Sequence, residues 1–279
     1  MKISISKWVM ISFAVLLPTF PMIAEAVPVV FSVGGDNTPA SIQTTVTNFQ
    51  NTLGNPNNGN APGPLTSGRR EINWDGGGAT TPTVTGTPLT GFQNIRGALM
   101  NTGGTGFIQA APSDLATQFS NATYGTIFST FSPLRLFTPI GSNITDVTFF
   151  IPGTNGLSTA TVTGFGAVFT DVDFASTTKI DYFDINNSLL TSQFVAPGTV
   201  ANGSLSFLGV AFNAGERIRR VRLTTGNSAL GPNDGAGIDV VVFDDFLFAE
   251  PRAIPEASAL LLLGLGIGAV GIIATRRNR

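Results

Sequence analysis

"DVVVFDDFLF", Asp239–Phe248, joins seven apolar residues to three aspartates. Extended, it places Val240, Val242, Asp244, Phe246 and Phe248 on one face and Val241, Phe243, Asp245 and Leu247 on the other. Both faces are apolar, which is the pattern of a central strand covered on two sides. At least one of Asp244 and Asp245 then sits among apolar neighbours. A buried carboxylate is unfavourable unless a cation, an arginine or backbone N–H groups meet it.

Outward from this stretch, the chain from Asp146 on is a series of short β-type runs broken by turn residues. "DVTFFI" (146–151) sets Val147, Phe149 and Ile151 on one face, and "GFGAVFTDVDF", "KIDYFDI", "SLSFLGVAF" and "RVRL" follow at sandwich-like intervals. The expectation is an all-β fold, an antiparallel β-sandwich of jelly-roll or lectin-like type. One helix is predicted over 38–50, where Ile42, Val46 and Phe49 fall at helical spacing. Two stretches rich in Gly, Pro, Asn and Thr, 54–68 and 76–91, read as loops.

Cysteine and histidine are both absent from the 279 residues. That excludes thiol nucleophiles, Ser-His-Asp triads, disulfides and Cys/His zinc sites. Between Val27 and Pro255 there are 10 basic and 15 acidic side chains, a net charge of −5. A sparsely charged, mildly acidic body of this kind lacks the basic field that nucleic acid requires.

Three places carry residues capable of chemistry. Trp74, between Asn73 and Asp75, reads as a loop anchor or as a stacking platform for sugar. Asp171 and Asp173, two apart, share a side if the chain is extended there. They read as solvated strand-end residues, as calcium ligands or as a glycosidase acid and base. Asp244 and Asp245 join them as candidate metal ligands. In "ERIRRVRL", Val221 and Leu223 face one way and Arg220 and Arg222 the other, with Ile218 implying a bulge or a later strand start. These arginines are expected to pair within the chain, the buried aspartates or an acidic polysaccharide being the candidate partners.

The ends read differently from the body. At the start, Lys2 and Lys7 precede an apolar core from Trp8 to Leu17, then Pro18 and Pro21, then Ala24-Glu25-Ala26. This is a signal-peptide pattern over 1–26, with cleavage expected after Ala26 by signal peptidase following passage through the Sec translocon. At the other end, 257–275 carries no charge, and as a helix it would extend about 28 Å, close to the hydrocarbon core of a bilayer. Arg276, Arg277 and Arg279 follow, which holds that flank cytoplasmic and leaves the body, 27–253, outside.

The segment 254–279, "IPEASALLLLGLGIGAVGIIATRRNR", resembles the PEP-CTERM sorting signal of exported bacterial proteins. Pro255 and Glu256 match that motif, and Ala257 stands where the family usually has a second proline. "GRREINWDG", "GFGAVFTDVD", "GVAFNAGERIRRVRLTTGN" and "DVVVFDDFLFAEP" look like a body domain that recurs in such proteins, a lectin-like sandwich of unassigned activity. The resemblance implies an exosortase-like membrane enzyme as partner and supplies no catalytic residues. The expected protein is non-enzymatic, envelope-sorted, and works at the cell surface or in an exopolysaccharide matrix. The alternatives are a carbohydrate-binding module resting on the sandwich, Trp74, Tyr124 and Tyr182, with calcium as a stabilising ion, and a polysaccharide hydrolase resting on Asp171 and Asp173.

Overall fold

Runs of β-branched and aromatic residues closed by Gly, Asn, Asp and Pro become strands in the computed structural model, which describes residues 27–76 and 80–254. In chain order the first half holds β1 (Val29–Gly34), α1 (Ala40–Leu53), β2 (Arg69–Ile72), β3 (Thr83–Gly86), β4 (Ala98–Asn101), β5 (Gly106–Ala110), α2 (Pro112–Gln118) and α3 (Tyr124–Ile127). Strands alone follow: β6 (Leu136–Ile140), β7 (Ile144–Phe149), β8 (Ala160–Thr161), β9 (Gly164–Thr170), β10 (Lys179–Phe183), β11 (Leu189–Phe194), β12 (Leu205–Ala211), β13 (Arg220–Thr224), β14 (Val242–Ala249) and β15 (Arg252–Ala253). The predicted leader with Ala24 and Ala26, and the segment carrying Pro255, Glu256 and the 257–275 span, lie outside the described residues. Among the described residues no helix is long and apolar enough to cross a membrane.

The strands pair antiparallel into two main sheets, the sandwich-like all-β class expected. The larger runs β1-β12-β9-β14-β6-β5-β3, with β2 also on β14; the smaller runs β11-β10-β13-β7-β4; β8 and β15 form a separate ribbon. The two sheets share a core. Phe149 of β7 packs against Phe165 of β9 and Phe248 of β14, with ring centroids 6.1 and 5.4 Å apart, and the Tyr182 hydroxyl of β10 donates to the Phe165 carbonyl at 3.1 Å. The smaller sheet alternates buried and part-exposed residues along β7 and β13, so its other face meets solvent.

The large sheet differs: β9 and β12 are buried at every position. Their second face is covered by α1, which runs three residues beyond the predicted end at Gln50 and buries Ile42, Val46, Phe49 and Leu53. Phe49 reaches the sheet because Gly166 and Gly209 face each other across β9 and β12 and leave a hollow for its ring. A Cβ at either glycine would lie 2.8 Å from that ring. Farther along the sheet, α2 and α3 cover a second cluster that includes Ile108, Leu115, Tyr124, Leu136 and Val242. These two short helices, and β3 inside the predicted 76–91 loop, were not expected from the sequence pattern.

The 54–68 stretch is a loop, but a tethered one. Arg70 and Glu250 are both buried and form a two-pronged pair, Nε to Oε2 and Nη2 to Oε1, each 2.8 Å. Glu250 also accepts from Asn58 Nδ2 and the Leu65 amide, while Arg70 Nη1 donates to the carbonyls of Gly59 and Ala61. Four of the pair's hydrogen bonds thus hold the loop to the sheet.

Two substitutions test these contacts. Gly209→Ala is expected to lower the unfolding free energy by about 1–3 kcal/mol by displacing Phe49. Glu250→Gln, which leaves the buried Arg70 cation without its counter-charge, is expected to lower it by about 3–5 kcal/mol. Urea denaturation followed by tryptophan fluorescence checks both, and a variant as stable as the native chain would contradict the corresponding contact.

Candidate functional site

The two aspartates of β14 do not lie on opposite faces as strict alternation predicts. Phe243 pairs with Phe169 and Phe246 with Ala167, so three steps along β14 match two along β9. The extra residue is a β-bulge, and it returns Phe246 and Phe248 to the inter-sheet face beside Phe243. Asp244 and Asp245 are left on one side, where the Ser132 hydroxyl lies 3.1 Å from Asp244 Oδ1 and 2.7 Å from Asp245 Oδ1.

Asp244 is completely buried. The partner that such a carboxyl needs is backbone: Oδ2 accepts the amides of Phe131 at 2.6 Å and Ser132 at 3.3 Å. Burial, and next the Asp245 charge, still push its pKa well above the usual carboxyl range. Burial also lifts Asp245, to about 6, with Glu71 and Asp75 adding repulsion against the hydrogen bonds from Asp244 and Ser132. This carboxyl pair, Asp244 buried and Asp245 partly exposed, holds the 131–132 segment on the strand.

Trp74 belongs to the same construction. Its indole is 1% exposed, stacks on Phe137 at 3.8 Å, meets Phe246 edge-on, and donates from Nε1 to the Asp244 carbonyl at 2.5 Å. It anchors its loop, and its faces are closed to a sugar. Asp75 accepts the amides of Leu134 and Arg135. Tyr124 and Tyr182 are also fully buried, which removes them as stacking platforms.

Asp171 and Asp173 leave the extended conformation that the same-side reading required. Asp171 sits at φ 67°, a left-handed turn that aspartate tolerates, directly after β9. Its side chain is buried and accepts the Gly203 amide at 3.1 Å, whereas Asp173 is exposed. Burial first, then the Asp173 charge, push the Asp171 pKa up to about 7 against the Gly203 hydrogen bond. Asp239, also buried, accepts the Asp173 amide and the Thr177 hydroxyl. Among the described residues no group of three or more acidic side chains is spaced to hold a metal ion.

The arginines pair within the chain as expected, with a different partner. Arg222 takes Asp146 of the adjacent strand by two hydrogen bonds, at 3.0 and 2.8 Å, and Arg220 Nη1 meets the same carboxylate at 2.5 Å. Ile218 bridges Val162 and β13 begins after it, at Arg220, which resolves its place on the arginine face. Neither arginine pairs with Asp171, just after β9, or with Asp244 of β14.

Two adjoining cavities, of about 360 and 270 Å³, open where the β8–β15 ribbon meets the 54–68 loop. Both are lined by Arg217 and Arg252. The sequence signal for this place was weak, since Arg217 reads as one of four neighbouring arginines and no motif singles out Arg252. No protein-family model, curated protein or solved structure matches the chain, so its function is argued from its own residues.

Asp171 and Asp245 both hold a proton more tightly in the folded chain than at the ordinary carboxyl value of 3.8. The stability they contribute is therefore full below about pH 4 and is lost as pH rises through about 6 and 7. The thermal midpoint is expected to fall over that window. At about pH 8 Asp171→Asn should gain about 1–3 kcal/mol over the native chain, and at about pH 4 nothing measurable. Calorimetric melts across the range check this, and a gain equal at both ends would contradict it.

Proposed function

We propose that this chain is an exported, envelope-sorted protein that works without catalysis at the cell surface or in an exopolysaccharide matrix. The observation that carries the reading is the pairing of a leader pattern ending at Ala26 with the Pro255-Glu256 motif, an uncharged span and terminal arginines. In this reading the Sec translocon and signal peptidase handle the first 26 residues, and an exosortase-like membrane enzyme recognises Pro255 and Glu256.

The body supports the non-catalytic part. Asp244 is spent on backbone amides and Asp171 on Gly203, and neither of the two cavities at the ribbon borders them. The carboxylate-dependent hydrolase would need Asp171, with its raised pKa, to face a substrate beside Asp173, and the exchange Asp171→Asn tests it directly.

A second reading, a carbohydrate-binding module built on a jelly-roll or lectin-like sandwich, is favoured by the cavities beside β8 and β15. It no longer draws on Trp74, Tyr124 or Tyr182.

Intact mass spectrometry of protein recovered from the envelope and medium of its host tests the leading reading. The expected species begins at Val27 and ends near Pro255. A cytosolic species retaining Met1 and Arg279 would overturn export and sorting together.

A further inference from the structure

Thr161 is the residue on which two cations converge. Its hydroxyl and its carbonyl accept Arg217 Nε and Nη2 at 3.0 and 3.1 Å, which fixes that guanidinium by two hydrogen bonds. Across the ribbon, Arg252 is the ladder partner of Thr161, and its Nη2 donates to the Thr66 carbonyl. The two side chains stand close enough that the Arg252 charge, after burial, lowers the pKa of Arg217.

Neither arginine is paired with a carboxylate among the described residues. The one acid that borders the larger cavity, Glu250, is held on both oxygens by Arg70, and Glu216 lines neither cavity. Arg217 Nη1 and the Nε and Nη1 of Arg252 have no protein acceptor in the described residues. Two half-buried cations held side by side with unused donors are unfavourable until an anion meets them, and a planar guanidinium suits a carboxylate or phosphate.

The surroundings select among anions. On one side of the arginines the larger cavity offers Ser67 and Thr163; on the other the smaller offers Ile185 and Ile254. Both volumes sit near the lower end of the roughly 300–1,000 Å³ typical of small-ligand sites. Hydroxyl partners on one flank, charge in the middle and an apolar wall on the other flank match a chain of sugar rings, which presents hydroxyls and C–H faces, with carboxylates between them.

We propose that the groove centred on Arg217 and Arg252 binds the carboxylate of an acidic polysaccharide, a uronate-containing glycan. This rests on the carbohydrate-binding reading and gives it a site and a ligand class. The body as a whole is acidic, so the attraction is local to the groove and is screened by salt.

The test uses the full chain in an uncharged detergent, titrated calorimetrically with a hexauronate, with a neutral hexasaccharide, and with phosphatidylglycerol vesicles. The hexauronate is expected to bind, the neutral chain not, and Arg252→Gln and Arg217→Gln each to weaken binding roughly tenfold or more. Arg222→Gln, on the outer face of the smaller sheet, is expected to change nothing. Arg252 is tethered by one hydrogen bond to a loop carbonyl, so its variant keeps the test valid if Arg217→Gln fails to fold. Hexauronate binding that both groove variants retain would overturn the site and leave the carbohydrate reading standing. Equal binding of the neutral hexasaccharide would overturn the ligand class, and preference for vesicles over glycan would overturn it in favour of a membrane surface. No binding of either saccharide would remove this site and the carbohydrate reading together.

Discussion

The bulge in β14 is the constraint on which the arrangement of the large sheet depends. One extra residue between Phe243 and Phe246 keeps three phenylalanines, 243, 246 and 248, in the shared core, where strict alternation would have turned two of them away. The same residue exposes a free carbonyl and a carboxyl at one position. Asp244 offers its carbonyl to Trp74 and its side chain to the amides of Phe131 and Ser132. Two segments far apart in sequence are thereby fixed to one point of the central strand. Such a bulge is a built feature of a sheet rather than a fault in it.

A second fixed point lies at the far end of the same strand. The Arg70–Glu250 pair is desolvated, and a desolvated pair is stabilising only where the remaining lone pairs and protons are satisfied. Asn58, Leu65, Gly59 and Ala61 satisfy them, and all four belong to the loop that sequence composition marks as irregular. A Gly/Pro/Asn-rich stretch thus gains a defined path without secondary structure of its own. That path brings Ser67 and Gly68 to the rim of the arginine groove, so the rigidity of the groove derives from a buried ion pair beside it.

Local pattern was legible in the sequence where it was strong. Ile42, Val46 and Phe49 marked α1, the alternation of "DVTFFI" marked β7, and the two apolar faces of "DVVVFDDFLF" marked a strand covered on both sides. The demand that its aspartate find a partner was legible too. The identity of that partner was not, because Phe131 and Ser132 are 113 and 112 residues away from Asp244 and carry no motif. The bulge was also silent, since no glycine or proline punctuates "FDDF". Asp171 misled for a related reason: an i, i+2 argument assumes extended backbone, and one left-handed aspartate cancels it. Trp74 shows the limit of composition, because an aromatic among Asn, Asp and Gly reads as a loop anchor or as a surface platform, and its ring stack with Phe137 decides for the anchor.

The arginines show why function is harder to read than fold. Arg217, Arg219, Arg220 and Arg222 are neighbours of one residue type, yet their surroundings separate them. Arg220 and Arg222 lie across from Asp146 and share its single charge; Arg219 donates to the Phe149 carbonyl and lies over the Phe150 ring. Arg217 alone among the four turns to Thr161 and meets Arg252, a residue 35 positions later that the short ribbon carries to it. Charge that is compensated within the chain contributes to folding and presents little to a ligand. Charge that the fold concentrates and leaves uncompensated keeps its interaction energy for an external anion, and among the described residues of this acidic body Arg217 and Arg252 meet that condition at the groove.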